Sequence, residues 1–560
     1  MSDPTPKVSK PQRYYTRWGA LKTERATWLM HWKEISDNIL PRSGRFFLMD
    51  RNRGQKRHNN ILDNTGTRAL RILAAGMMAG MSSPARPWFR LQTPDADLNK
   101  APAVKVWLNQ TTQLMLDVFA KSNTYRALHS CYEELGAFGT CASIIMPDFE
   151  NVIQHYPLTT GEFCLAQNWK GEITTLYREF QKTVGELVSE FGLEQCSQST
   201  QNLWRNGSLD VWVTVVHAIE PRADRDATKR DSLNMPWASV YFELNHGDKF
   251  LSESGFKRFP ALAARWATSG SDIYGNSPGM DALGDIRQLQ HEQLRKAQGI
   301  DYKIIPPLQV PYSLKNRDVD RLPGGINFVE SAGPANTITT AYDVNIDLNH
   351  LLEDIQDVRE RIKQAFSADL FLMLANSSNP AMTATEVAER HEEKMLMLGP
   401  VLERLHSELL DPLIESAFEH MVEAGILPPA PPEMQGMELN VVYTSILAQA
   451  QKAVATNSID KFVGNLGAVA QFKPDVLDKF DSDVWADKYA DVLGVDPEMI
   501  VSADQVAELR RLRAQVQARQ AEIQQAEQMA SAAQKLGTIS TPGGNAANDV
   551  MAGLTGYTTA

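Results

Sequence analysis

Along the chain, two long stretches of helical hydrophobic period flank a middle section of strand-like runs. Between 12 and 39, Tyr14, Tyr15, Trp18, Leu21, Trp28, Leu29, Trp32 and Ile35 recur at roughly three- to four-residue spacing, which predicts an amphipathic helix closed by Pro41. A second helix is predicted over about 60–83, ending before Pro84, and two more over 103–121 and 123–138. Gly76 and Gly80 lie four residues apart in the second helix. Its flanking charges and short apolar run predict close packing in a soluble core, not a membrane dimer. From about 140 to 260 the period shortens. Cys141–Met146, Gly161–Ala166, Ile173–Phe180, Leu209–Ala218 and Trp237–Leu244 are rich in β-branched and aromatic residues and predict strands. A short helix near Val184–Phe191 interrupts them.

Helical period then returns. Ser277-Pro278-Gly279 opens a helix over 279–299, with Leu283, Ile286, Leu289, Leu294 and Ala297 on one side. Residues 301–345 are broken by Pro306, Pro307, Pro311, Pro323, Gly324, Gly325 and Gly333, which predicts a turn-rich insertion with short strands. A second helix over 346–367 keeps Leu348, Leu351, Ile355, Val358, Ile362 and Ala365 on one face. Two helices of similar length thus bracket a small non-helical module, the pattern of an antiparallel pair capped at its far end. Residues 368–382 begin apolar and finish in turn formers, Asn376 to Pro380. Thr383 and Glu386 have capping-box spacing at the start of a long helix running to about Glu423, which Pro400 and Pro412 must bend. Residues 438–500 read as mostly short helices.

A polar helix is predicted over about 503–536. Leu509, Val516, Ile523 and Ala530 repeat every seven residues, with Leu512, Ala526 and Ala533 three further on. So thin a seam cannot hold a helix down alone. It suits a helix touching two neighbours in a ring or bundle, or else a surface coiled coil or a fraying tail. The Gly- and Thr-rich residues 541–560 are predicted to be disordered.

At 560 residues the chain exceeds a single core, and two to four structural units are expected. Residues 1–58 hold 13 Lys/Arg against 5 Asp/Glu, a net +8, which leaves −20 on the remainder of a chain whose total is −12. An acidic body argues against tight static binding of nucleic acid but does not exclude a protein past which DNA slides. The basic stretch, densest from Arg42 to Arg57, could touch DNA or an acidic partner, or be a solvated arm. Cys131, Cys141, Cys164 and Cys196 lack metal-ligand spacing and read as reduced core thiols. No phosphate loop, His-Glu-x-x-His or Gly-x-Ser-x-Gly motif occurs. His391, beside Glu392 and Glu393, reads as solvated. Glu133/Glu134, Asp354/Asp357 and Asp318/Asp320 are pairs that arise by chance among 68 acids, with no nucleophile beside them. The expectation is no catalytic residue, no cofactor and no metal. The longest apolar run is too short to span a bilayer, and the N-terminus carries no secretory signal, so the chain reads as cytosolic.

Four segments in order resemble the bacteriophage head-to-tail connector (portal) family of short-tailed phages, over roughly 12–500. They are TRWGALKTERATWLMHWKEISDNILPRSGRF, ILDNTGTRALRILAAGMMAGMSSPARPWFRL, YGNSPGMDALGDIRQLQ and MTATEVAERHEEKMLMLGPVLERLHSELLDPLIE. The resemblance implies an α+β, mainly helical chain with the portal layout. Residues 1–272 would be the wing, β-rich from about 140. Residues 273–300 and 346–367 would be two antiparallel stem helices, 301–345 the clip between them and 368–382 a tunnel loop. Residues 383–502 would form wing and crown, and 503–540 a helical barrel.

The function so implied is structural: a twelve-copy ring at one capsid vertex, through which double-stranded DNA is packaged and ejected without sequence readout. Twelve helices ~9 Å apart enclose a ring of ~34 Å through their axes, and a bore of ~23 Å after one helix width is removed, about that of a duplex. Twelve copies would carry about −144, a field that keeps phosphate off the wall. Leu372, Met373, Leu374, Asn376, Ser377, Ser378 and Asn379 would face the DNA as a one-way valve, or merely link two helices. Lys315, Arg317, Asp318, Asp320 and Arg321 in the clip would meet a terminase motor and later a tail adaptor. Scaffolding and major capsid proteins are further implied partners, in a virion assembled in the host bacterial cytoplasm, with no membrane contact. Two alternatives stand beside this. A tail adaptor is usually shorter and lacks a bracketed clip; a prophage nucleic-acid-processing enzyme would show nuclease or ATPase activity.

Overall fold

A computed structural model describes residues 9–46, 61–95, 98–244, 249–304, 308–309, 339–340, 348–376, 397–434, 436, 439–448, 462–470, 472–473, 475–476, 480–486, 501, 503–537, 540–541 and 544–545. The chain divides into two compact units, 1–474 and 475–560.

In the first unit, α1 (Lys10–Asn38) buries Tyr14, Trp18, Leu21, Trp32 and Ile35 along the expected stripe. Arg25 is buried on the same stripe because its guanidinium donates to the carbonyls of Gly161 and Phe163, at 2.8 and 2.6 Å. α2 (Thr65–Met81) is sunk in the core, with Leu70, Leu73, Ala74, Met77 and Met81 fully enclosed. After β1 (Phe89–Gln92), α3 (Pro102–Lys121) and α4 (Thr124–Phe138) complete the helical layer. α4 ends on Gly139 at φ +76°, and a Cβ there would come within 2.2 Å of the Gly275 carbonyl oxygen. Both the left-handed turn and the close approach demand glycine.

The β-rich section forms two antiparallel sheets. β2 (Thr140–Asp148) and β3 (Val152–Leu158) make a hairpin. β4 (Phe163–Gln167), β5 (Ile173–Thr183), β6 (Trp212–Pro221), β7 (Trp237–Glu243) and β8 (Ser252–Phe256) follow as one five-stranded sheet in chain order. β9 (Ala261–Arg265) returns to pair with β2, giving a three-stranded sheet in the order β3-β2-β9. Between β5 and β6 lie α5 (Val184–Phe191), opened by a complete capping box of Thr183 and Glu186, and α6 (Gln198–Arg205). Tyr14, Trp18 and Leu21 cover one face of the larger sheet against Tyr177, Val216, Ala218, Val240 and Phe242. Trp32 and Ile35 belong instead to the main core with α2 and α4. The strand pattern missed β3, β8 and β9. Alanine is a poor strand former, and Ala261–Arg265 is a strand because every one of its residues is buried against β2.

The C-terminal half of this unit runs α7 (Pro278–Asp281), α8 (Leu283–Ile304), the paired strands β10 (Leu308–Gln309) and β11 (Thr339–Thr340), α9 (Leu348–Ala365) and α10 (Ala368–Asn376). The helix over 397–405 widens into a π-helical turn at His406–Leu410 and continues as α12 (Asp411–Glu423), with α11 the name for 397–405. Pro412 cannot donate to a preceding carbonyl. The backbone takes that loss up by letting the Asp411 amide reach back five residues to His406, not by a plain bend. Glu408, presented by this turn, accepts from the Arg265 side chain at 2.6 and 3.2 Å and from its backbone amide at 3.0 Å.

Residues 440–443 are an exception to the mostly helical reading of 438–500. They form β12 (Asn440–Tyr443), which pairs antiparallel with β1. A partner more than three hundred residues away decides that segment. The Thr383–Glu386 capping box and His391 lie outside the described residues.

In the second unit the helix Ala503–Gly537 forms as its period predicts. Arg510 holds Asp483 in a fork at 2.5 and 2.7 Å. Ser540–Thr541 pairs antiparallel with Gly544–Asn545, so order extends past 541, where disorder was expected. Pro-Gly between the two pairs is a turn-forming dipeptide.

Candidate functional site

The two helices expected to bracket an insertion do lie side by side. Asp285 of α8 meets Arg361 of α9 at 3.3 Å, and Glu292 faces Asp354, so the helices run antiparallel. Ile286, Leu289, Ile355, Val358 and Ile362 are buried. One side of the Glu292 carboxyl accepts from Gln288 at 2.6 Å. Desolvation pushes this carboxyl above the usual range, and the Asp354 carboxyl adds to the shift.

The hairpin is tied to the segment before α2 through one acid. Asp63 Oδ1 caps the entry to α2, accepting from the Thr65 amide at 2.9 Å and its hydroxyl at 2.5 Å. Asp63 Oδ2 accepts from Arg359 Nε and Nη2 at 3.1 and 2.7 Å, and from Gln293 at 3.0 Å. Gln290 accepts from the amides of Leu62 and Asp63, at 2.6 and 2.8 Å, and donates to the Asp63 carbonyl at 2.8 Å. Burial alone would raise the Asp63 pKa, but the bonds from Thr65 and Arg359 outweigh it and hold the carboxyl below its ordinary value. Sequence reasoning missed this node. Its one signal was Asp63 two residues before a helix start.

Two glycines of α2 explain how the hairpin and α10 are seated. A Cβ on Gly66 would meet Ile286 Cδ1 at 2.8 Å, and one on Gly76 would meet Phe371 Cβ at 2.4 Å. These notches are ten residues, or ~15 Å, apart, so α2 is a bracket that receives α8 at one end and α10 at the other. The tight packing expected at Gly76 is therefore present.

α10 changes the picture of 368–382. Its first nine residues are helical, not a loop, because Leu370 and Phe371 are buried against α2. Ser367 at φ +48° makes the turn from α9, and the Phe371 amide donates to its carbonyl at 3.2 Å. Of the expected DNA-facing residues, Leu372 is exposed on α10, and Met373, Leu374 and Asn376 lie in the same helix. Ser377, Ser378 and Asn379 lie outside the described residues, as do Lys315, Arg317, Asp318, Asp320 and Arg321.

Neither carboxylate pair within the described residues makes a reaction centre. Glu134 is buried, accepting from the Thr159 hydroxyl and from the Thr160 hydroxyl and amide. Burial pushes it up to about 7. Asp357 pairs with Arg361. Among the described residues no group of three or more His, Cys, Asp or Glu could hold a metal, and no helix is long and apolar enough to cross a membrane. All four cysteines are buried free thiols.

The architecture is thus a helical hairpin with exposed outer faces, carried on a packed body. Residues 12–501 match the family described as bacteriophage head to tail connecting protein. The chain belongs to that family. A probable portal protein of Bordetella phage BPP-1 is 64% identical over 97% of this chain and 98% of its own length. The portal protein of Salmonella phage epsilon15 is 45% identical over 92% of this chain and 93% of its own. Membership fixes the class of function as a phage portal, the connector between head and tail. Among solved structures, a chain from the neck of an empty gene transfer agent particle aligns over 77% of this chain and 89% of that one. Its TM-score is 0.36 at 12% identity, too loose a likeness to carry weight.

Proposed function

We propose that twelve copies of this chain form a ring at one vertex of the phage capsid, with double-stranded DNA passing through the hole. The supporting observation is the α8–α9 hairpin. It is fixed at one end to the body through Asp63, and along its length Leu294 and Leu352 stay 44% and 40% exposed. In this reading the hairpin is the stem, 301–345 the clip, 1–272 the wing and 383–502 wing and crown. Residues 503–540 form a barrel whose exposed Leu509, Leu512, Val516 and Ile523 meet neighbouring copies.

The ring works without catalysis. The chain's net −12 repels phosphate, so DNA slides without adhering, and the driving ATPase is a separate terminase motor docked on the clip. A tail adaptor replaces the motor later; scaffolding and major capsid proteins surround the ring. Residues after the buried Phe371 press on the duplex as a valve. Because α10 is anchored on α2, only the part from Leu372 through Asn379 meets the duplex in this reading.

Negative-stain imaging of purified protein tests the ring. Particles with a central hole of duplex width support it, and closed monomeric globules end it. Deleting Asn376–Asn379 tests the valve: rings should assemble yet lose packaged DNA, and wild-type retention would count against it.

A further inference from the structure

The outer faces of the hairpin carry opposite charge. At 100° per residue, Arg287, His291, Arg295, Gln298 and Tyr302 form one exposed stripe on α8, with Leu294 on its edge. The stripe itself holds no acid; Asp301 stands beside its far end. On α9 the exposed stripe is Asn349, Glu353, Gln356, Glu360 and Gln364, with Leu352 on its edge and Asp357 beside it. Lys363, the base on that face, is held by Glu360 at 3.2 Å. Arg295 has no carboxylate partner among the described residues; its bonds are to His291 and Gln298, at 3.4 and 3.5 Å. Glu353 reaches only the exposed His350 of its own helix, at 3.6 Å.

We propose that the α8 stripe of one copy docks on the α9 stripe of a second copy, in a register fixed by Leu294 against Leu352 and Arg295 against Glu353; Arg287 is already held by Glu34 of its own chain at 2.6 Å. This rests on the ring reading above. A cyclic ring has no rise between copies, so residues level within one hairpin are level with the neighbour's. Inside the hairpin Asp285 is level with Arg361 and Glu292 with Asp354. Continuing that antiparallel register puts Leu294 level with Leu352, and Arg295 two residues, ~3 Å, from the level of Glu353, within reach of its long side chain.

The directions agree as well as the heights. On each helix the exposed leucine points away from the partner helix of its own hairpin. The charges flank it on the side turned away from Asp63, which both helices hold on their other flank. Two copies placed side by side therefore bring leucine to leucine and base to acid. Exposed ion pairs add little affinity each, but opposite stripes forbid a copy from docking α8 on α8 or α9 on α9. The stripes set order around the ring more than its strength.

Charge reversal reads this directly. Arg295→Glu and Glu353→Arg, singly, should lose rings at a salt concentration where wild type keeps them. The double variant, which restores opposite charge, should recover them. As a variant that leaves charge reversal aside, Arg295→Cys with Glu353→Cys should give a ladder of covalent oligomers on oxidation, since the native cysteines are buried. Single reversals that assemble like wild type at every salt overturn the proposal. So does a cysteine pair that yields no ladder in preparations that do contain rings. Wild-type protein that forms no rings at all instead overturns the ring reading itself.

Discussion

α2 has 17 residues, nine of them buried, whereas no described side chain of the 35-residue helix Ala503–Gly537 is buried. Both read as helices from their period. What differs is the partner. α2 is apolar around most of its circumference and has glycines where α8 and α10 must come close, so its own chain encloses it. The long helix has one seam, and Leu509, Leu512, Val516 and Ile523 stay 47–57% exposed. Half exposed as they are, each such side chain leaves about 1 kcal/mol of burial ungained. A helix of the first kind is held by its own chain, and one of the second kind keeps its apolar seam in solvent.

The largest effect expected on the first kind comes from Glu408→Ala. It would strand the buried Arg265 guanidinium and should lower stability by about 3–5 kcal/mol, seen in the urea midpoint. Next is pH. Burial raises the folded pKa of Glu134 to about 7, above its unfolded value, so the folded state holds more protons between them. Stability should be greatest below the unfolded pKa and fall as pH rises toward 7, by on the order of 3 kcal/mol in all. Glu134→Gln should flatten that slope; an unchanged profile would locate the titration elsewhere.

Gly76→Ala is a smaller intrusion. Its Cβ must displace Phe371, at a cost of about 1–3 kcal/mol, and α10 should become more susceptible to proteolysis than wild type. Smallest of all, Leu509→Ala with Val516→Ala should move unfolding of dissociated protein by no more than about 0.5 kcal/mol. The same pair should weaken assembly by gel filtration. A large loss of monomer stability would show that this helix is held by its own chain after all, and would break the comparison.

The candidate site was legible where local pattern governs. The one-face periods of α8 and α9 and the close packing at Gly76 in α2 announced themselves; the capping box at Thr183 and the notch at Gly66 did not. Asp63 did not, because its partners Arg359, Gln290 and Gln293 come from elements more than two hundred residues away. The helical state of 368–376 was hidden likewise. Its apolar residues could have lain in a loop until Phe371 found the notch at Gly76.

By itself the sequence determined most of the helices and the strands β2, β4, β5, β6 and β7, that the chain has an acidic body, and, through its ordered segments, its family. Those follow from side-chain period and charge, which are properties of neighbours in the chain. Tertiary structure alone decided that Ala261–Arg265 and Asn440–Tyr443 are strands, that a π-helical turn presents Glu408 to Arg265, and that α2 seats both α8 and α10. Each depends on a group distant in sequence arriving at contact distance, and burial and hydrogen bonding then outweigh weak local preference.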